Sequence, residues 1–372
     1  MTDAAHWLPL TRENVSAAHA LIKPYIHETP VLTCQTLNHI ASTPQTPDSL
    51  IGTPYEGQTP ANPRISLFFK CENYQRIGAF KARGAFHAVL RLIQTMGEDE
   101  VRKRGVVTHS SGNHAQALAL AAKTLRIPAY IVMPSISTPS KIAGTRSHGA
   151  EVIFSGSTSE EREAVVAKVQ SETGAILVPP YDHPDTILGQ GTVGVEFEAQ
   201  VKGLLEGDKE GLDAVIVPTG GGGLTSGVAV WFSGKKTVVF GSEPEFQGAD
   251  DCRRGLEAGE RVKSVKTLTI ADGLRTPVGE IPWGVVSNPD KVRAVYGVTE
   301  EQIREAMRLV LERMKVVVEP SAAVPLAVAL YNEEFRRMVE REGGSQGWDV
   351  GVVFSGGNTT VQSIVELFGE RK

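Results

Sequence analysis

The sequence predicts an α/β protein built on parallel sheet, and three observations predict it. Short β-branched runs alternate with longer helical stretches. Many of those runs are continuously apolar rather than alternating, as strands buried on both faces are. Glycine-rich or small-polar loops follow several of them, at the carboxyl ends where ligands bind in such folds. In chain order the strand candidates are residues 66–70, 105–109, 129–133, 151–154, 175–178, 214–217, 237–241 and 349–354. Helical segments include 113–125, 159–172, 187–201 and 299–314. Residues 43–63 (TPQTPDSLIGTPYEGQTPANP) are rich in Pro, Thr and Gly, lack periodicity and read as an inserted surface loop. Residues 333–347 (EEFRRMVEREGGSQG) read as a solvated helix end and turn.

At 372 residues the chain exceeds the roughly 250–300 at which single cores stop growing, so two lobes are expected. A charge of −5 and the lack of a Lys/Arg cluster argue against a nucleic-acid partner. Cys34, Cys71 and Cys252 are odd in number and far apart, which disfavours a disulfide framework or zinc site and suits a reducing compartment. No apolar run reaches transmembrane length and no signal-like segment opens the chain; the cytoplasm is the expectation, without a membrane partner.

Lys81 sits in Gly78-Ala79-Phe80-Lys81-Ala82-Arg83-Gly84-Ala85. It reads either as an amphipathic lysine laid over an apolar patch or as a desolvated Schiff-base nucleophile. Thr219-Gly220-Gly221-Gly222-Gly223-Leu224 follows an apolar strand and opens a helix. One glycine would serve a flexible turn; four together suit a nest of backbone N–H groups for a phosphate. The spacing is neither a P-loop nor GxGxxG. His109-Ser110-Ser111-Gly112-Asn113-His114 reads as an N-cap or as a cradle for a substrate carboxylate. Phe354-Ser355-Gly356-Gly357-Asn358 is a third loop at a strand end. Lysine, phosphate nest and carboxylate cradle are the inventory of a pyridoxal phosphate enzyme acting on amino acids.

Seven segments, GAFKARGA, HSSGNHAQA, PPYDHPDTILGQGT, PTGGGGLTSG, TIADGLRTPVG, VEPSAA and VFSGGN, occur in the order found in the serine racemase and threonine/serine dehydratase family. The resemblance implies a fold type II pyridoxal phosphate enzyme, like the tryptophan synthase β chain. Its two lobes would each hold a mostly parallel sheet, with residues 1–104 and 186–372 forming the large lobe and 105–185 the small one that closes over the cleft. It implies that Lys81 forms the internal aldimine and that Ser111 is the acid/base on the opposite face. Phe80 would pack beside the cofactor ring, Asn113 would bond its phenolic oxygen, and Gly220, Gly221, Gly222, Gly223 and Leu224 its phosphate. Ser355 would face the pyridine nitrogen. Ser110, Ser111, Gly112, Asn113 and His114 would receive the substrate. A neutral Ser355 cannot hold the ring protonated, which favours β-elimination, with racemisation related to it.

Glu243, Ala249 (by its carbonyl) and Asp251 resemble the family's Mg²⁺ or Ca²⁺ ligands, although this stretch is about two residues longer and Asp250 could substitute. An acidic loop that binds nothing is the alternative. The expected reaction is dehydration and deamination of serine, threonine or 3-hydroxyaspartate by a homodimer. Primary racemisation, β-replacement of the cysteine synthase type and a non-catalytic cofactor carrier are the competing readings.

Overall fold

The structure, a computed structural model, describes residues 7–110, 112–137, 139–156, 158–205, 207 and 209–369. The chain opens with α1 (Arg12–Ile22), capped by the Thr11 hydroxyl, which accepts the Asn14 N–H. Next come β1 (Val31–Thr33), α2 (Gln35–Ala41), β2 (Ile65–Cys71), α3 (Lys81–Met96) and α4 (Glu98–Arg104). Then follow β3 (Val106–His109), α5 (Asn113–Leu125), β4 (Ala129–Pro134), α6 (Pro139–Ser147), β5 (Glu151–Ser155), α7 (Ser159–Thr173) and β6 (Ile176–Leu177). The chain continues through α8 (Pro184–Val201), β7 (Ala214–Pro218), α9 (Gly223–Phe232), β8 (Val238–Pro244), α10 (Asp251–Ala258) and α11 (Glu280–Val286). It ends with β9 (Ala294–Val298), α12 (Glu300–Leu309), α13 (Pro320–Tyr331), α14 (Glu333–Gly343), β10 (Trp348–Phe354) and α15 (Val361–Phe368).

The strands form two sheets. One has the order β1-β2-β10-β7-β8-β9, with only β1 antiparallel; the other, β5-β4-β3-β6, is parallel throughout. The continuous apolar runs have the cause expected of them. All five residues of β7 are buried, because α13 covers one face of its sheet and α9 the other. In the smaller sheet α5 and α7 occupy opposite faces. Five parallel strands of the larger sheet therefore deliver their carboxyl ends, and the loops after them, to one edge.

Residues 43–63 form the expected surface loop, most of it exposed, and it is pinned at a few points: buried Arg336 donates to the carbonyls of Ala41 and Thr43, Glu333 accepts the Ala61 N–H, and Leu50 is buried. Residues 333–347 differ from the solvated surface expected of them. The same contacts explain α14, which is amphipathic, with Glu333, Phe335, Arg336, Met338 and Val339 all buried. Its many charges hid a core-facing stripe. Among the described residues, no helix is long and apolar enough to cross a membrane.

Candidate active site

Lys81 is the first residue of α3, and the loop before it is zipped to the loop after β10. Phe80 N–H donates to Ser355 O (3.0 Å), Gly357 N–H donates to Gly78 O (2.9 Å), and Ala79 pairs with Gly356. Ile77 (φ 59°) and Gly78 (φ 70°) both turn left-handed to make this junction. For a β-branched residue that conformation costs roughly 1–2 kcal/mol, and such strain gathers at functional sites. A side chain on Gly78 would meet Asn358 Oδ1 at 2.8 Å.

The Lys81 side chain is half-buried and its Nζ donates to Pro180 O at 2.8 Å, with the Phe80 ring 5.0 Å away. Burial lowers its pKa to about 8, against the opposing pull of the Glu319 charge. The amine is thus nearer neutrality than an ordinary lysine, as a nucleophile or base requires.

Asn113 opens α5 and is held from both sides. Its Nδ2 donates to Glu319 Oε1 (2.9 Å), and its Oδ1 accepts from Asn358 Nδ2 (2.8 Å), which also donates to Ile77 O. Glu319 precedes α13 and is buried; burial, then the charge of Asp272, raises its pKa to about 8. The segment VEPSAA gives this acid no role at the level of sequence. Its only signal was an acid immediately before a proline at a helix start. Ser110 accepts the Gly112 N–H, and Gly112 lies at the N-cap of α5. His114 is buried with Nε2 against Val178 O (3.1 Å), and burial drives its pKa down to about 3. It is a neutral framework group. Ser111 lies outside the described residues.

The glycine loop connects β7 to α9. Among the described residues, no hydrogen bond is donated by the backbone N–H groups of Gly220, Gly221, Gly222, Gly223 or Leu224, although all five residues are buried. Buried unpaired donors cost about 1–3 kcal/mol each, so five at a helix N-terminus specify an acceptor, and a phosphate supplies several oxygens at once. The glycines also have a second cause. A β-carbon on Gly221 would sit 2.4 Å from the Tyr181 ring, and one on Gly223 3.0 Å from Tyr181 Cβ; Gly222 has φ 83°. Tyr181 follows Pro180, so one loop serves both Lys81 and the glycines. Asp182 then accepts the N–H groups of Glu280 and Ile281 and caps α11. Ser355 is buried beside Phe80.

At the end of β8, buried Glu243 accepts the N–H groups of Cys252 and Arg253, each at 3.0 Å. Asp251 Oδ2 accepts Val278 N–H (3.0 Å), while its buried Oδ1 has no partner. Burial, with the neighbouring Asp251 charge, raises the Glu243 pKa well above the usual range; burial lifts Asp251 to about 6. Asp250, the alternative ligand, pairs with Arg253 and Arg254, and its charge also raises Glu243 and Asp251. Ala249 is buried next to them. Among the described residues no group of three or more His, Cys, Asp or Glu is arranged to hold a metal.

Residues 52–356 match the family described as pyridoxal-phosphate dependent enzyme. The chain is 41% identical to a serine racemase of Arabidopsis thaliana over 96% of each chain. It is 37% identical to a beta-hydroxyaspartate dehydratase of Paracoccus denitrificans, covering 95% of this chain and 98% of that one. The solved structure of maize serine racemase superposes with a TM-score of 0.81 at 38% identity, over 96% of both chains.

Proposed function

The chain belongs to the pyridoxal-phosphate dependent enzyme family, with fold type II, and from that premise we propose that it dehydrates and deaminates a 3-hydroxy amino acid. L-Serine, L-threonine or 3-hydroxyaspartate would give a 2-oxo acid and ammonia, with serine racemisation as a companion reaction. The observation that carries the reading is the nest of five unpaired buried N–H groups, Gly220 to Leu224, in the same cleft as an amine lowered to about 8.

Pyridoxal phosphate, when bound, supplies an electron sink for negative charge developing at the substrate α-carbon. Gly220, Gly221, Gly222, Gly223 and Leu224 would hold its phosphate, Asn113 its phenolic oxygen, and Phe80 the edge of its ring. Ser355 would meet the pyridine nitrogen without a charge, which favours losing the β-hydroxyl together with the α-proton. Lys81 would hold the cofactor by its amine and would take the substrate's α-proton. Ser110, Gly112, Asn113 and His114 frame the N-terminus of α5, a favourable place for the substrate carboxylate. Ser111 would keep a proton on the opposite face, which racemisation needs and elimination does not.

Glu243, Asp251 and the Ala249 carbonyl would hold Mg²⁺ or Ca²⁺. The unpartnered Asp251 Oδ1 fits an oxygen-ligated divalent ion. Residues 105–185 would form the small lobe that closes over the cleft, in a homodimer.

The test is a panel of 3-hydroxy amino acids, with 2-oxo acid and D-enantiomer measured in the same samples. Oxo acid from at least one of them is expected. No oxo acid from any, with D-serine accumulating from L-serine, would leave racemisation as the primary reaction.

A further inference from the structure

The ILGQGT stretch of α8 remains without a role once the cofactor, substrate and cation sites are assigned, yet it packs directly on the turn that carries Lys81. That turn starts irregularly. Its N-cap residue, Phe80, offers no side-chain cap, and the Arg83 N–H takes Phe80 O at 3.0 Å, a tight one-turn bond. The Gly84 N–H is given to Gln190 Oε1 on α8 at 3.1 Å. The two helices touch at backbone distance. A β-carbon on Gly189 would lie 2.7 Å from Gly84 Cα and 2.8 Å from Arg83 O. Arg83 then fastens the same turn with all five of its donors. Nη1 bonds Thr192 Oγ1 (3.2 Å) and Glu196 Oε1 (2.8 Å), Nη2 bonds Glu196 Oε2 (2.7 Å) and Glu72 Oε1 (2.8 Å), and Nε bonds Glu72 Oε2 (2.7 Å).

We propose that Gln190 and Arg83 are positioning residues for Lys81. They clamp the first turn of α3 onto α8, so that the amine meets the cofactor and then the α-proton in one fixed geometry. The inference rests on the cofactor reading above. Other contacts explain stability alone; these converge within three residues of Lys81, while α8 itself begins just beyond Pro180, the residue whose carbonyl receives the amine. Small displacements of a catalytic group far exceed single-bond energies in their effect on rate, reaching about a hundredfold for 1 Å.

The experiment compares holoenzymes carrying Gln190→Leu (no acceptor), Gln190→Glu (acceptor kept) and Thr192→Val, which removes one Arg83 bond and the Thr192 bond to Gly189 O. Readouts are kcat, KM, the pH titration of the visible cofactor band, and the fraction of cofactor that borohydride fixes to Lys81 by peptide mass mapping. Gln190→Leu should lower kcat by about ten- to a hundredfold with KM within about twofold. It should also reduce the Lys81 adduct and shift the band titration. Gln190→Glu should recover both, and Thr192→Val should move them in the same direction by less. Wild-type kcat and adduct in both Gln190→Leu and Thr192→Val overturn the proposal. So does loss that simply tracks the thermal midpoint, the Glu variant included. If Gln190→Leu fails to fold, the other two variants decide alone. A wild-type protein without the Lys81 adduct would instead sink the cofactor reading itself.

Discussion

Two buried ionic clusters stand in contrast. Beneath α3, Lys70 and Arg83 face Glu72 and Glu196, and none of the four is more than 4% exposed. The three Lys70 donors go to Thr29 O, Glu196 and Gln200, as all five of Arg83 are taken. Burial pushes the Glu196 carboxyl up, yet hydrogen bonds from His19 and Arg83 and the two cationic charges hold it well below the usual range. At the end of β8, by contrast, Glu243 and Asp251 have backbone donors only, one oxygen is orphaned, and both carboxyls are driven upward. The first cluster closes on itself; the second leaves two buried carboxyls without a side-chain donor. Burial is the same in both, so charge balance is what separates them.

The largest expected effect comes from unbalancing the closed cluster. Arg83→Met strands two buried carboxylates and should destabilise the fold by about 3–5 kcal/mol in denaturant unfolding. A loss below about 1 kcal/mol would mean that water reaches the cluster.

Supplying the missing charge at the other cluster comes second. Mg²⁺ or Ca²⁺ at a hundred times its dissociation constant should stabilise the chelated protein by about 2.7 kcal/mol. Glu243→Gln should abolish that response; a thermal midpoint indifferent to both ion and chelator would remove the cation site.

A pH series sharpens the contrast further. Asp251, raised from 3.8 to about 6, keeps its proton in the folded chain while the unfolded chain releases it. Its contribution is therefore lost as pH climbs between roughly 4 and 6 and stays lost above, in the chelated protein. The ion should flatten this decline, and Asp251→Asn should reduce it, leaving the share of Glu243, whose carboxyl is also raised. An unaltered slope in Asp251→Asn would assign the pH dependence to other groups.

The smallest effect belongs to an exposed pair joining α6 to the loop after residue 270. Lys141 meets Asp272 at 2.7 Å, with both side chains about a third exposed or more. Lys141→Ala should cost no more than about 1 kcal/mol.

What was legible in the sequence follows the same physics. Runs buried on both faces, such as β7 and β10, declared themselves by continuous hydrophobicity, whereas β1 and β9 were missed. β9 (AVYGV) is short and carries a glycine in its interior, and β1 spans only three residues. The glycine loop between β7 and α9 was legible because glycine clusters are costly without cause. Part of that cause was invisible, since the Tyr181 ring packing on Gly221 is a long-range contact. Asn113 was legible, but Glu319 and Asn358, which hold its amide, were not, because their meeting depends on three separate chain crossings.

The central claim is that Lys81 carries the cofactor, and one measurement reaches it most directly. The purified protein is reconstituted with pyridoxal phosphate, its visible spectrum recorded, and the borohydride-reduced product mapped by mass. A visible band is expected, with the label on Lys81, and both should vanish in Lys81→Ala together with oxo-acid formation. A colourless wild-type protein, a label on another lysine, or a fully active Lys81→Ala variant would contradict the account.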